Sequence, residues 1–490
     1  MSTIPDRAAS PQPAAPAEPA EPAQPAETTD HLLQDTHLPG SSATRTVKQM
    51  AETYWILALS CAALIFDGYD IVVYGTIVSR LLKDPSQLGS LNAAQAGTIG
   101  SYALIGVMIG ALAAGAVGDH IGRRKIVLGS IAWFSIGMAL TAVSMNFTYF
   151  GAMRLLTGIG LGALLATLGA VVAEFAPIDK KNLFNALVYS GIPAGGVLAS
   201  IIALVALPIV GWRGLFWIGA LPLVILLPFA WKKIPESPKW LEAKGRHEEA
   251  QRVAERTGVA LDGAPARSSS VTGSTGSAGS IESAPVAPQA VERVGFRGLF
   301  TGSYLVPTIL LGFMSFSGLL LTYGLNTWLP RIMESYGFNA TYSLTFLLLL
   351  NTGAVIGGLT AAYVADRWLG AKWTIVITFV LAALSLTLMT VRLPDLVLLA
   401  FIFVAGIGTL GTQVLIYGKV SNYYSTKVRA AGVAWCAGFG RLGGIFGPII
   451  GGLVIAALAG PTATAATAFY VFAGVAVFGA LVCALVPKHD

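Results

Sequence analysis

Two aspartates lie three residues apart in the middle of a long apolar segment. Asp67 and Asp70 fall inside a run from about 54 to 78, and about 20 apolar residues suffice for a helix to cross a bilayer. A charged carboxylate at that depth costs at least about 2.5–3.5 kcal/mol on insertion scales. We therefore predict that Asp67 and Asp70 handle protons or a ligand inside a helix bundle. The alternative is a structural pair, satisfied by a buried arginine or by backbone amides.

The spacing of these residues places them on one helix face. Side chains three and four positions apart are neighbours on a helix surface, so Tyr74 continues the face that Asp67 and Asp70 begin. Gly68, on another side, lets a neighbouring backbone approach closely. We expect the aspartates to couple proton movement and Tyr74 to contact the substrate.

Two arginines also lie at membrane depth. Arg154 is about two turns into the fourth apolar span and is followed by glycines. It is either a structural partner for a carboxylate or backbone carbonyls, or a functional charge. Arg441 lies near the middle of the eleventh span, where a guanidinium needs an anion because it is not readily neutralised. That anion is Asp67, Asp70 or an anionic substrate, and we favour the substrate.

Further polar side chains in the second half are candidates for substrate contacts. Tyr323 and Asn326 lie in the seventh span and Gln413 in the tenth. Each of them either orients a ligand or bridges two helices. We include all three in the predicted binding site with Arg441 and Tyr74.

Two charged loops repeat each other and divide the chain. In 115–125 and in 358–372 an aspartate at a helix end is followed by a glycine and then by cations. This repeat indicates two pseudo-symmetric bundles that rock about a midplane site. The loop charges either hold one face closed until it opens or simply anchor the helices at the surface. They are Asp119, Arg123, Arg124, Asp366 and Arg367.

The composition is that of a membrane protein. Of the 490 residues, 54% are hydrophobic and only 11% are charged, whereas soluble domains are about 25% charged. The net charge of +6 does not indicate a nucleic-acid partner, because the cations lie in short loops where they set orientation. Three widely spaced cysteines form no metal motif. Without a nucleophile–base pair or nucleotide loop, we expect no enzyme, no metal and no cofactor beyond a proton gradient.

The predicted fold is an all-α membrane protein with twelve transmembrane helices in two six-helix bundles. Residues 1–50 form a disordered Pro/Ala-rich tail, 51–232 the first bundle, 233–297 a cytoplasmic central loop, and 298–490 the second bundle. The distribution of cations places both termini in the cytoplasm. The helices are predicted near 53–80, 93–117, 124–144, 147–174, 183–208, 213–231, 303–333, 341–365, 373–391, 395–422, 429–457 and 463–486.

Several motifs resemble those of a known family. The pattern Gly-x-x-x-Asp-x-x-Gly-Arg-Arg at 115–124 resembles the signature of the major facilitator superfamily, although His120 stands where the family usually has Arg or Lys. Asp67-Gly68-Tyr69-Asp70 is similar to the first-helix motif of the aromatic acid:proton symporters, and the stretches 326–330, 429–433 and 438–443 also resemble that branch.

The resemblance implies the major facilitator fold and a secondary active transporter. Its expected activity is proton-coupled import of an aromatic carboxylate, of the benzoate or hydroxybenzoate class, by a monomer in a bacterial inner membrane. It also implies that Glu174 and Arg429 matter for transport, in addition to the charges named above. Alternatives are a proton-coupled transporter of a sugar or another metabolite, an efflux pump, and a transporter-like sensor. Against a sugar, the seventh span lacks paired glutamines.

Overall fold

The computed structural model describes residues 46–177, 180–261, 295–300, 302–391, 393–425, 428–458 and 466–487. All regular structure in these ranges is helical. The α-helices are α1 (Val47–Lys83), α2 (Ala93–Ile121), α3 (Arg123–Ala142), α4 (Phe147–Phe175), α5 (Lys181–Tyr189), α6 (Gly191–Gly219), α7 (Leu226–Lys233), α8 (Pro238–Ala243), α9 (His247–Thr257), α10 (Leu305–Ser335), α11 (Ala340–Val364), α12 (Gly370–Leu388), α13 (Asp395–Gly406), α14 (Thr412–Tyr423), α15 (Arg429–Leu458) and α16 (Ala466–Leu485).

These helices make twelve passes through a membrane. Within the described residues, ten helical runs are long and apolar enough to cross a bilayer. Two of them, Leu183–Lys233 and Ala340–Leu388, are 51 and 49 residues long, which is enough for two passes each. The first of these bends at Gly211 and the second reverses at Gly370, and both glycines have positive φ. The predicted twelve-helix fold is therefore confirmed.

Polar caps explain where several passes begin. Thr46 and Asn92 each accept a hydrogen bond from a backbone N–H in the first turn of α1 and of α2, and in both cases a glutamine side chain completes a capping box. Asn146 and Asn339 cap α4 and α11 in the same way, without the glutamine. Such caps satisfy backbone donors that have no partner within the helix.

The structure adds helical residues before the first predicted span and within the predicted central loop. Helix α1 begins at Val47, six residues before the predicted start, and the rest of the predicted tail lies outside the described residues. The predicted central loop contains two short helices, α8 and α9. Helix α9 packs on the start of α1, because Arg256 forms an ion pair with Glu52 at 2.8 Å. The central loop is thus tied to the first half.

The two repeated loops have the same turn but different spacing. Gly122 and Gly370 both have positive φ, at 98° and 71°, a conformation that glycine adopts without strain. Two residues lie between Asp119 and Gly122, and three lie between Asp366 and Gly370. A π-helical turn over Ala365–Leu369 takes up the additional residue, as π-turns generally absorb an insertion into an α-helix.

The first half (α1–α7) and the second half (α10–α16) meet at one end of the bundle. We call the end that carries the repeated loops the charged-loop end, and the other the opposite end. At the opposite end, Lys83 forms an ion pair with Glu334 at 2.6 Å, and Ser79 donates a hydrogen bond to the same carboxylate. Nearby, Ser101 donates to the backbone carbonyl of Ile445 at 2.6 Å. These are the polar contacts between the halves in the described part of the chain.

Candidate functional site

Helix α1 lies between both halves, and its glycines set how closely its neighbours approach. A Cβ atom at Gly68 would overlap the carbonyl oxygen of Ile192 in α6, so the predicted close approach of a backbone at Gly68 is confirmed. A Cβ atom at Gly75 would overlap the carbonyl oxygen of Asn326 in α10. Helix α1 therefore brings Asp67 and Asp70 next to helices of both halves.

Asp70 forms an ion pair with Arg154 inside the first half. The Arg154 side chain donates to the Asp70 carboxylate and, at 3.3 Å, to the Asp70 carbonyl. Both side chains are only 2% exposed. The Arg154 guanidinium carbon also lies 5.7 Å from the centre of the Tyr74 ring and 5.9 Å from that of Phe216. Arg154 was predicted to be either a structural partner for a carboxylate or a functional charge. The structure places the Asp70 carboxylate beside it, as the first alternative requires.

A small cavity adjoins this ion pair. Its walls include Asp70, Tyr74 and Arg154 from the first half, and Tyr323 and Thr327 from the second. Its volume of about 20 Å³ is sufficient for about one water molecule. The Arg154 Nε atom is buried and has no hydrogen-bond partner. Most of the wall is apolar, and the Asp70 carboxylate and the Arg154 guanidinium are the charged groups in it that could bind a single water.

Asp67 faces the second half. Its side chain is 4% exposed, and its charge interacts with that of Arg441 across the boundary between the halves. No carboxylate of the described residues lies within ion-pairing distance of Arg441. The polar contact of Arg441 is a hydrogen bond of 3.4 Å that it donates to the Tyr323 hydroxyl. Arg441 is partly exposed as a residue, and its guanidinium has further N–H donors besides the one that contacts Tyr323.

Three predicted substrate contacts have partners within the protein. The Tyr74 hydroxyl donates to the backbone carbonyl of Ala96 at 2.6 Å. The Asn326 side chain accepts from Asn351 at 2.8 Å and so bridges α10 and α11. The Gln413 side chain donates to Ser315 at 2.9 Å. Their roles in substrate binding stay predictions. The contacts of Asn326 and Gln413 are those of the alternative, in which each side chain links two helices.

The charged loop of the first half closes on itself. Arg123 forms an ion pair with Glu174, which is 3% exposed. The same carboxylate accepts hydrogen bonds from the Ser237 hydroxyl at 2.6 Å and from the backbone N–H of Lys239 at 3.3 Å. Glu174 therefore joins the end of α4, the start of α3 and the start of the central loop.

A second carboxylate completes this network. Glu236 accepts from the backbone N–H of Arg124 at 3.0 Å and from that of Ser237 at 3.1 Å. A Cβ atom at Gly122 would meet the end of the Glu236 side chain, and the positive φ of Gly122 favours glycine at this position. Arg124 also donates to the Trp231 carbonyl at 2.6 Å.

The charges of the equivalent loop in the second half are exposed and have fewer contacts within the described residues. Asp366 and Arg367 are exposed, and neither forms an ion pair with another residue within the described ranges. Arg429 is also exposed and donates to the Tyr424 carbonyl at 3.3 Å. The side chain of Asp119 lies outside the described residues. The repeat is thus present in the backbone, while the contacts of its charges differ between the halves.

Two tyrosines near Arg441 were not among the predicted site residues. Tyr189 at the end of α5 and Tyr417 in α14 both interact electrostatically with Arg441. Tyr417 follows Gln413 by four residues and so shares its helix face, a signal that the sequence does contain. Tyr189 precedes a break in the fifth pass and carries no comparable spacing signal. Lys83 and Glu334, which link the halves, were also missed because each lies at a helix end with no mark of its partner.

The chain was compared with known proteins and structures. A model of the Major Facilitator Superfamily matches residues 59–368 and 347–490. A gentisate transporter from Corynebacterium glutamicum is 33% identical over 438 residues, which cover 87% of this chain and 88% of the relative. A benzoate transport protein from Acinetobacter baylyi is 32% identical over 408 residues, covering 82% and 84%.

The solved structures show the same fold. The xylose transporter XylE from E. coli, in an inward open conformation, aligns with a TM-score of 0.67 and 17% sequence identity. The alignment covers 89% of this chain and 97% of that structure. The predicted resemblance to the superfamily and to its aromatic acid transporters is confirmed by these matches, as is the prediction that the protein is not an enzyme. The chain belongs to the major facilitator superfamily and is a multi-pass membrane transporter.

Proposed function

We propose that this transporter imports an aromatic carboxylate together with protons, by alternating access between the two halves. The observation that carries the proposal is Arg441, a partly exposed arginine in the middle of α15 that faces Asp67 of the first half. The relatives named as transporters of gentisate and benzoate support an aromatic carboxylate as the substrate.

Arg441 is the residue proposed to bind the substrate carboxylate. Its planar guanidinium has a fork of N–H donors that matches a carboxylate with two parallel hydrogen bonds. The hydrogen bond to Tyr323 occupies one N–H of Arg441, so donors are left for the ligand. The nearby rings of Tyr189 and Tyr417 provide walls for an aromatic substrate.

Asp67 is proposed to couple the proton to the substrate. Ionised Asp67 and the substrate carboxylate are both anions that Arg441 attracts, so they compete for one cation. A proton on Asp67 removes that competition, and once the substrate anion has bound to Arg441 the site carries no net charge. Neutralising the site in this way lowers the cost of closing it away from water. With one proton and one monoanion, the transport cycle is electroneutral.

The Asp70–Arg154 pair is proposed to hold α1 against α4 during this exchange. Because both charges are buried and paired, they move together as part of the first half. A proton that reaches Asp70 through the adjoining small cavity would release Arg154. The proposed one-proton cycle assigns the transported proton to Asp67, and the expected part of Asp70 in proton coupling stays a prediction.

The contacts between the halves are proposed to represent the state that is open toward the cytoplasm. They lie at the opposite end, where Glu334 binds Lys83 and Ser79. The charged-loop end carries most of the loop cations, and the distribution of cations across loops places that end in the cytoplasm. We propose a monomer in a bacterial inner membrane with both termini in the cytoplasm.

The direct test is uptake by purified protein in liposomes. With an inward proton gradient, we expect accumulation of radiolabelled benzoate, 4-hydroxybenzoate, protocatechuate or gentisate, and none of glucose. A protonophore should abolish the accumulation. If folded, inserted protein takes up none of the aromatic acids, the substrate class is wrong. Accumulation driven by an outward gradient instead would identify an exporter.

A further inference from the structure

The carboxylate of Glu334 is where an ion pair joins the two halves at the opposite end. Glu334 lies in the last turn of α10, and its side chain is only 6% exposed. The Nζ atom of Lys83, at the end of α1, lies 2.6 Å from the Glu334 Oε2 atom. The Ser79 hydroxyl, one turn earlier in α1, donates a hydrogen bond to the same oxygen. Two side chains of the first half therefore hold one carboxylate of the second.

A second cation lies beside the same oxygen and belongs to the second half. Arg331 precedes Glu334 by three residues in α10, and its Nη1 atom lies 3.5 Å from Oε2. The Arg331 Nε atom is buried and has no hydrogen-bond partner in the described part of the chain. Arg331 thus has an unused donor next to a carboxylate that Lys83 and Ser79 contact more closely.

The two cations behave differently when the halves separate at this end. Lys83 moves with the first half and leaves Glu334, whereas Arg331 stays beside it because residues three apart on one helix are neighbours. Once Lys83 and Ser79 have left, the planar guanidinium of Arg331 can take both oxygens of the carboxylate through two parallel hydrogen bonds. Those bonds also satisfy donors of Arg331, and an unpaired buried donor is costly.

We infer that Glu334 exchanges cations during transport, so that Lys83 holds the opposite end closed and Arg331 stabilises the same end when it is open. This inference rests on the alternating access of the proposed function and not on its substrate. An interaction shifts a conformational equilibrium only by the difference between its free energies in the two states. The contact with Lys83 exists only in the closed state, and the contact with Arg331 is stronger in the open state. Removing the two cations should therefore have opposite effects.

The test measures how fast a thiol buried between the halves reacts. Ser101 of α2 is fully buried and donates to the Ile445 carbonyl of the second half at 2.6 Å. A thiol introduced by Ser101→Cys is therefore reached by a reagent when the halves separate at this contact. The full-length chain is purified in detergent with its three native cysteines replaced by alanine, and labelling by a maleimide is followed by mass spectrometry.

The two cation variants are expected to change this labelling rate in opposite directions. Lys83→Gln should raise the rate about fivefold, at the upper end of what a partly exposed ion pair contributes. Arg331→Gln should lower it by about threefold, because its contact with Glu334 is gained mainly in the open state. A Lys83→Gln rate at or below that of the parent protein, or an Arg331→Gln rate at or above it, overturns the inference.

Glu249→Gln is the matched control. Glu249 pairs with Arg246 at 2.5 Å across the same three-residue spacing, but both lie in the central loop and are 43% and 49% exposed, so the labelling rate should not change. Size-exclusion profiles establish folding. If Lys83→Gln does not fold, Ser79→Ala takes its place, since it also removes a contact of the closed state and should raise the rate. Labelling needs no substrate, so a failure of uptake in liposomes contradicts the proposed function alone.

Discussion

The two halves of this transporter treat their charges differently. In the first half, Arg154 is paired with Asp70 and Arg123 with Glu174. In the second half, Arg441 has no carboxylate partner among the described residues of that half, and Asp366 and Arg367 are exposed. Arg154 and Arg123 are thus paired within the first half, while Arg441 of the second half faces the boundary between the halves. The difference supports the proposal that the first half is a scaffold and that the second half supplies the residue that binds the substrate.

The same contrast separates the two aspartates of α1. Residues three apart are rotated by about 60° around a helix, so Asp67 and Asp70 reach different neighbours although they share a face. Asp70 pairs within its own half, whereas Asp67 faces a cation of the other half. Asp70 is therefore part of the charge pair within the first half, and Asp67 lies at the boundary between the halves.

The largest expected effect concerns the buried pair. Asp70→Asn leaves the Arg154 charge buried without its partner, which typically costs about 3–5 kcal/mol. We expect a corresponding loss in the free energy of unfolding, measured by chemical denaturation in detergent, together with loss of uptake. The double variant Asp70→Asn with Arg154→Gln should recover most of the stability, because a neutral pair replaces an unpaired charge. Equal stability of wild type and Asp70→Asn would contradict the scaffold role.

The second prediction concerns Asp67. Asp67→Asn resembles the protonated side chain, so Arg441 can still bind substrate but no proton accompanies it. We expect exchange of labelled for unlabelled substrate to continue while accumulation is lost. In electroneutral coupling with one proton, accumulation is about tenfold for each pH unit of gradient, and the variant should show a ratio near one. A variant that still accumulates substrate would remove Asp67 from the coupling.

The smallest expected effect compares the repeated loops. Glu174→Gln removes the charge that Arg123 contacts, and because Arg123 is one-third exposed the loss should be about 1 kcal/mol. Asp366→Asn changes an exposed side chain and should stay within about 0.5 kcal/mol. Unfolding midpoints of the two variants measured in the same detergent test this order. A larger loss of stability in Asp366→Asn than in Glu174→Gln would mean that the contacts of the second loop, not those of the first, stabilise the protein.

Much of the fold follows from hydropathy and charge. The apolar runs and the Gly122 and Gly370 turns define twelve passes, because membrane-spanning backbone has to be helical. The π-helical turns at Ala365–Leu369 and Ile407–Gly411 could not be predicted, since an inserted residue leaves the apolar pattern of a buried helix unchanged. The bend at Gly211 was anticipated only as a break between two spans.

The sequence identifies the charged residues of the candidate site but does not show which arginine lies beside which aspartate. Asp67, Asp70, Arg154 and Arg441 stand out because charge is rare at membrane depth. Which arginine faces which aspartate depends on the rotation of α4 and α15 about their axes, and hydropathy does not fix that rotation for helices that are apolar on all sides. Tyr189 and Tyr417 were missed because tyrosines in membrane helices commonly serve packing.

The self-contained charged loop of the first half has a consequence for biosynthesis. Glu174 and Arg124 complete their contacts with Ser237 and Glu236, which directly follow α7. Helix α10 begins only at Leu305, and at 5–20 residues per second the ribosome takes on the order of several seconds to reach it. The first half can therefore assemble its charged loop before any of α10 has been made. The length of the central loop sets how long this half has to fold alone.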